Sequence, residues 1–301
     1  METKNKTAGF IYAIISAITF GLMPLFSVPV LKAGMETPSI LIYRFGFGAL
    51  FILLTMMLLK ISPKINFSQC WRLLVLALFS DVSGICTIMG YDHMASGPAA
   101  TILFSYPVFT CLIMMIFFNE KPTLRMVLAI VLAIAGVAGL SGMFSLGKGD
   151  ISWLGTVLEL GAGLTYAIYL VLVPSAELGE DMTGLKLTFY VFLFGAIMLL
   201  PYAMLTGPGF QWPVNHGTHA FDWEIMGSLV MLALIPTAVS NYTAVLALQE
   251  VGSTLTSIMG AFEPLTAITV GIIVFSEPFT PVVAVSAVLI IIAVTLLVLK
   301  K

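Results

Sequence analysis

Ten apolar runs, each close to twenty residues long, follow one another along this 301-residue chain with mostly short connections. About twenty apolar residues cross the hydrocarbon core of a bilayer as a helix, and no water is available there to satisfy loose backbone groups. The runs are Ala8–Val28, Ser39–Leu59, Arg72–Met89, Gly97–Phe118, Leu124–Gly142, Trp153–Val173, Leu185–Thr206, Met226–Leu246, Gly252–Phe275 and Pro281–Leu299. Only 9% of the residues are charged, against about a quarter in a soluble domain. The expected fold is therefore all-α and integral to the membrane, with ten transmembrane helices. Lys4 and Lys6 precede the first run as they would in a signal peptide. No small-x-small cleavage site follows, so that run is read as a membrane helix.

Several function classes fall away. A net charge of −2 points to no nucleic-acid partner, and no GxxxxGK[ST] loop occurs to couple ATP directly. Cys70, Cys86 and Cys111 lack metal-ligand spacing and read as packing residues. His216-x-x-His219, in the longest connection, would need a further ligand to hold a metal. No cofactor and no metal are expected.

Lysine and arginine set the expected orientation. With a cytoplasmic N-terminus, the inner segments hold Lys4, Lys6, Lys60, Lys64, Arg72, Lys121, Arg125, Lys186, Lys300 and Lys301, and the outer connections hold Lys32 and Lys148. Positive charge favours the cytoplasmic side. Both termini are expected inside, in the cytoplasmic (inner) membrane.

The run Gly252–Phe275 is broken by Glu263-Pro264, and the chain carries a second version of this design. Ala100–Thr123 aligns without gaps so that Pro107 meets Pro264, Glu120 meets Glu277 and Thr123 meets Thr280, with 5 of 24 positions identical. Ser16–Gly21 likewise matches Ala162–Ala167, with Gly9 falling on Gly155. Three registers in the same order divide the chain into repeats over 8–142 and 153–299. Five spans is an odd number, so the second repeat must enter the membrane upside down. Inverted repeats place a substrate site near the midplane, where interrupted helices meet.

The order of these features resembles the drug/metabolite transporter superfamily in its ten-span, EamA-type branch. The resembling pieces are Phe20-Gly21 and Tyr166-Ala167, Arg44-Phe45, and the proline-then-glutamate pairs Pro107…Glu120 and Pro264…Glu277. They cover the chain from about Ala8 to Leu299. The family commonly has tryptophan where this chain has Phe20 and Tyr166. The resemblance implies a carrier that moves small metabolites, often amino acids or related compounds, commonly outward.

Four ionisable residues lie inside the spans: Arg44, Asp81, Glu159 and Glu263. Unpaired buried charge is costly and usually faces a cavity or a partner. One acid is expected to pair with Arg44, and Glu159 is the better match by depth. Asp81 and Glu263, near the midplane, are then candidates for proton coupling or for binding a substrate ammonium. The structural alternative is that these acids only cap freed backbone groups or tie helices together. Tyr106, Asn241, Thr237 and Ser105 offer polar contacts, and Phe20, Tyr91, Tyr166 and Tyr169 offer ring faces for a planar or cationic substrate. Pro107 and Pro264 are the expected hinges, while Glu120 and Glu277 read as structural helix ends. Small residues in the fifth and tenth spans, such as Gly136 and Ala287, allow close helix contact within a monomer or a weak homodimer.

The expected function is therefore secondary-active transport by alternating access, with protons as candidate coupling ion. The expected partners are a small-molecule substrate and the lipid bilayer. A membrane enzyme on lipid-linked substrates would need its acids clustered at one interface, and a channel would need a filter or ring of like groups.

Overall fold

The structure is a computed structural model. It describes residues 6–93, 99, 102–119, 121–140, 153–176, 178–179, 182–206, 209–214, 220–275 and 281–298. The first half contributes α1 (Lys6–Phe20), α2 (Met23–Lys32), α3 (Thr37–Leu58), α4 (Phe67–His93), α5 (Tyr106–Phe118) and α6 (Leu124–Leu140). The second contributes α7 (Trp153–Ser175), α8 (Gly184–Thr206), α9 (Trp223–Ala233), a π-helical turn (Leu234–Val239), α10 (Ser240–Met259), α11 (Phe262–Phe275) and α12 (Pro281–Val298). Among the described residues the extended pairing is one isolated bridge, Val214 with Phe221.

Among the described residues, six stretches are long and apolar enough to cross a membrane: Lys6–Lys32, Thr37–Leu58, Phe67–His93, Trp153–Ser175, Gly184–Leu205 and Trp223–Met259. Shorter apolar helices, Tyr106–Phe118, Leu124–Gly136 and Ala284–Ala293, lie where the fourth, fifth and tenth spans were expected. The distribution of side chains is inside-out. Arg44, Asp81 and Glu159 are buried, whereas Leu58, Phe67, Ile116, Phe117, Leu124, Leu205 and Ile273 are largely exposed. Such an apolar exterior suits acyl chains and would be a liability in water. All four tryptophans, Trp71, Trp153, Trp212 and Trp223, are exposed and lie at or near helix ends, as membrane-interface anchors do.

Three apolar runs are interrupted in the middle. Gly21-Leu22 separates α1 from α2, whose first turn carries Pro24. Phe104-Ser105 precedes α5, and Gly260-Ala261 separates α10 from α11. Gly21 is required by contact: a Cβ there would run into the Glu263 carbonyl oxygen and meet Thr266 Cβ at 2.8 Å. The eighth and ninth expected spans divide at Gly252: its φ of 81° and ψ of 173° are non-helical and favour glycine, so α10 is kinked there into two helical segments.

The main packing pairs are α1 with α10, α4 with α7, α3 with α8, and α6 with α12; α5 also packs on α7, and α1 on α11. Each pair joins the first half to the second. Exchanging the halves, the first span for the sixth and so on, leaves this pairing scheme unchanged. The small residues of α6 serve its contact with α12: a Cβ at Gly136 would stand 2.7 Å from Ile290 Cγ1 and 2.9 Å from the Ser286 carbonyl oxygen.

Candidate functional site

Arg44 is placed by a proline on another helix. Pro236 has no N–H to give the Leu232 carbonyl, and the chain forms a π-helical turn there. The Thr237 hydroxyl takes up that carbonyl instead, donating to it at 2.7 Å. The same hydroxyl oxygen accepts a 2.8 Å hydrogen bond from Arg44 Nε. The guanidinium lies 5.9 Å from the Phe20 ring centroid and 5.4 Å from that of Phe45, within cation–π range. No salt bridge joins Arg44 to a carboxylate among the described residues.

Glu263 is held by the start of a helix and by a tyrosine. It sits in the first turn of α11, where the helix dipole favours negative charge. Its Oε1 accepts a 3.1 Å hydrogen bond from the Tyr106 hydroxyl. Gly260 makes room for this pair, since a Cβ there would overlap the Tyr106 hydroxyl. Tyr106 meets Tyr166 edge-on at 5.0 Å between centroids, and Tyr166 stacks on Phe20 at 6.3 Å and on Tyr169 at 6.2 Å.

These groups surround one narrow cavity of about 30 Å³, bounded by Phe20, Arg44, Tyr106, Tyr166, Asn241 and Glu263 and by the polar side chains Ser80, Ser83 and Thr87. A neighbouring space of about 30 Å³ shares Phe20 and Glu263 and adds Tyr91 and Pro264. The cavity wall thus carries one guanidinium, Arg44, and one carboxyl, Glu263, together with the rings of Phe20, Tyr106 and Tyr166. Asn241 is oriented by its own helix, its Nδ2 donating to the Thr237 carbonyl at 2.9 Å.

The other expected residues stand apart from this cavity. Asp81 points at α8, where a Cβ on Gly195 would come 2.5 Å from its Oδ1. Glu159 points at α4, into the space left by Gly90, where a Cβ would overlap its carboxyl. Among the described residues neither carboxyl has a hydrogen-bond partner. The expected Glu159–Arg44 pair is not formed, because Glu159 faces Gly90 while Arg44 is anchored on Thr237. Tyr169 is buried behind Tyr166, off the cavity wall. Pro107 and Pro264, the expected hinges, stand just after breaks in the helices. They occupy the first turns of α5 and α11, where no N–H is needed. Glu120, Glu277, His216 and His219 lie outside the described residues.

Sequence reasoning missed Ser80, Ser83 and Thr87, which follow each other at helical spacing along α4. It also missed Pro236, visible as a proline within the eighth run, which explains how Thr237 anchors Arg44.

A model of the EamA-like transporter family matches residues 7–142 and 153–299. The chain belongs to that family. Among similar curated proteins, an uncharacterized transporter of Archaeoglobus fulgidus is 26% identical over 267 residues, spanning 89% of this chain and 87% of that one. Phosphoenolpyruvate/phosphate translocator 2, chloroplastic, of Arabidopsis thaliana is 23% identical over 266 residues, spanning 85% of this chain and 67% of the translocator. A solved protein crystal structure superposes with a TM-score of 0.79 at 14% identity, covering 98% of both chains; this likeness concerns the fold alone. This EamA-like protein is an integral membrane transporter, and its relatives indicate no catalytic family.

Proposed function

We propose that this EamA-like transporter is a secondary-active carrier of small metabolites such as amino acids or related compounds, working by alternating access. It consists of ten spans in two inverted repeats, 8–142 and 153–299, with both termini in the cytoplasm, and it moves its substrate outward across the cytoplasmic membrane. Protons are the candidate coupling ion, with the buried carboxyls of Asp81 and Glu263 as their carriers.

The observation that carries this reading is that residues equivalent in the two halves meet in the cavity. Phe20 stacks on its counterpart Tyr166, and Tyr106 bonds its counterpart Glu263. The supporting contacts come in matched pairs as well. Ser240 donates to the Ser16 carbonyl at 3.0 Å, and Ser83 to the Ala162 carbonyl at 3.1 Å. Thr19 bonds the Ile15 and Ser16 carbonyls as Thr165 bonds those of Gly161 and Ala162. A site built where two similar bundles touch can open to one side by rocking one bundle on the other.

A second reading follows from the plastid relatives, whose name assigns them phosphoenolpyruvate and phosphate. Arg44 favours an anion, but Glu263 on the same wall disfavours one with several negative charges. The test is counterflow in proteoliposomes. Saturable flux that an excess of unlabelled substrate on the far side accelerates supports the carrier. Flux that rises linearly with concentration supports a channel instead.

A further inference from the structure

We propose that two matched latches, one at each end of the helix bundle, are the gates of this carrier. Gln211 on the backbone of Glu36 shuts one face, and Gln69 with Arg72 on the backbone of 176–178 shuts the other. This rests on the alternating-access reading above and names the contacts that each face must break to open.

At the first face, Gln211 ties the second half to the first through both its side chain and its backbone. Its Oε1 accepts from the Glu36 N–H at 2.6 Å, and its own N–H donates to Ser39 Oγ at 2.9 Å. The Ser39 hydroxyl reaches the Gly209 carbonyl at 3.5 Å. Phe210, between these contacts, lies against Tyr43 with ring centroids 5.0 Å apart. At the other face, Gln69 is buried and its Nε2 donates to the Leu178 carbonyl at 2.7 Å. Arg72 Nη1 donates to the Ala176 carbonyl at 2.6 Å. The Tyr190 hydroxyl donates to the Pro63 carbonyl. α3 runs from the first latch towards the second over 22 residues, about 33 Å of helix, so the latches stand a bilayer core apart.

The two ends are built alike. Each glutamine grips the chain within two residues of a glycine with positive φ, Gly34 at 83° and Gly179 at 90°, where an L side chain would be strained. Tyr43 and Tyr190 are 147 residues apart in sequence. Each meets a phenylalanine one turn further on, Phe47 at 5.6 Å and Phe194 at 5.5 Å. Each also receives a connection from the other half, at Phe210 in one case and at Pro63 in the other.

The volumes explain why these contacts gate rather than only brace. A central cavity of about 30 Å³ holds little more than a water molecule or two. Substrate therefore enters only when one end of the bundle parts, and every latch contact crosses between the halves at such an end. Larger spaces lie beside the latches: about 270 Å³ near Met35, Gln211 and Trp212, and about 420 Å³ near Leu178, Met182 and Gln249. Latches with room around them let go without disturbing the close-packed core. A few hydrogen bonds at each end break and re-form readily, because water replaces the lost partners. Rocking one half on the other parts one end as it closes the other, so the latches alternate.

The test uses the full chain in a variant lacking Cys70, Cys86 and Cys111, with Ser80→Cys as a reporter on the cavity wall. Labelling of that thiol by a membrane-impermeant methanethiosulfonate is timed on right-side-out and on inverted membrane vesicles. Trp212→Cys, exposed beside the first latch, shows in a parallel sample which face carries Gln211. Ser39→Ala with Gln211→Ala should speed labelling of the reporter from the Gln211 face about tenfold and slow it from the other. Gln69→Ala with Arg72→Ala should do the reverse. Gates produce that reciprocity, whereas a bundle that is merely loosened labels faster from both faces. The near-isosteric single changes Gln211→Leu and Gln69→Glu remove one acceptor and one donor. They should shift the rates in the same directions, and they decide the matter where a double variant fails to accumulate. Labelling that is unchanged, that rises from both faces, or that rises from the wrong face overturns the latches and leaves the carrier standing, because counterflow is measured independently. Fast labelling from both faces with the latches intact means an open path and overturns both.

Discussion

A hydroxyl group on the π-helical turn decides how Arg44 is presented. Thr237 satisfies the carbonyl that Pro236 frees and holds Arg44 Nε with the same oxygen. Thr237→Val keeps the shape and removes the hydroxyl, so its half-saturation constant for substrate should rise about tenfold, while Thr237→Ser should stay near wild type. A Val variant with unchanged transport would show that Arg44 needs no anchor. Glu159 supplies a second prediction. Its carboxyl fills the space of the missing side chain at Gly90, so Gly90→Ala should destabilise the protein by roughly 1–3 kcal/mol through overpacking, measured by thermal unfolding in detergent. Glu159→Ala combined with Gly90→Ala should recover part of that loss. Several site residues were legible beforehand, because a charge or tyrosine at mid-depth in a lipid-length run has few roles. Asp81 and Glu159 satisfied the same criterion and yet lie off the cavity. The face a helix residue shows depends on its neighbours, and the telling signals, Gly195 and Gly90, stand on other helices.

At the scale of elements, the site exists because helices stop there. α2, α5 and α11 all begin beside the cavity, each with a proline in its first turn, and Met23, Tyr106 and Glu263 line it from those turns. Apolar runs of membrane length reveal where helices lie, so α3, α4, α7 and α8 were readable as continuous spans. Breaks were harder to place. Proline marks the start of the next helix, and the interruption lies in the preceding residues, chosen by close contacts such as Gly21 with the Glu263 carbonyl. Gly252 offers a clean test of one such bend. Its φ is 81°, and a Cβ there would meet no atom within 4 Å. Gly252→Ala should therefore cost about 1–3 kcal/mol from backbone strain alone. An unchanged melting temperature would mean that α10 accepts an ordinary helical turn at this point.

For the whole molecule, the account depends on two halves that enclose the substrate between equivalent residues. The proposed duplication rests on three short registers in the sequence, and the contacts of Ser83 and Ser240 keep the same 157-residue offset as Pro107 and Pro264. The pairing of spans was not legible, since the outer and inner faces of a membrane helix are both apolar. The most direct measurement is a reversible clamp across the cavity. In a variant lacking Cys70, Cys86 and Cys111, Phe20→Cys and Tyr166→Cys replace the stacked rings, and counterflow is followed before cross-linking, after it with a short thiol-reactive linker, and after cleavage of the linker. The account predicts that clamping stops exchange, that cleavage restores it, and that neither single cysteine responds. Clamped protein that exchanges substrate at its unclamped rate would place the path elsewhere and contradict it.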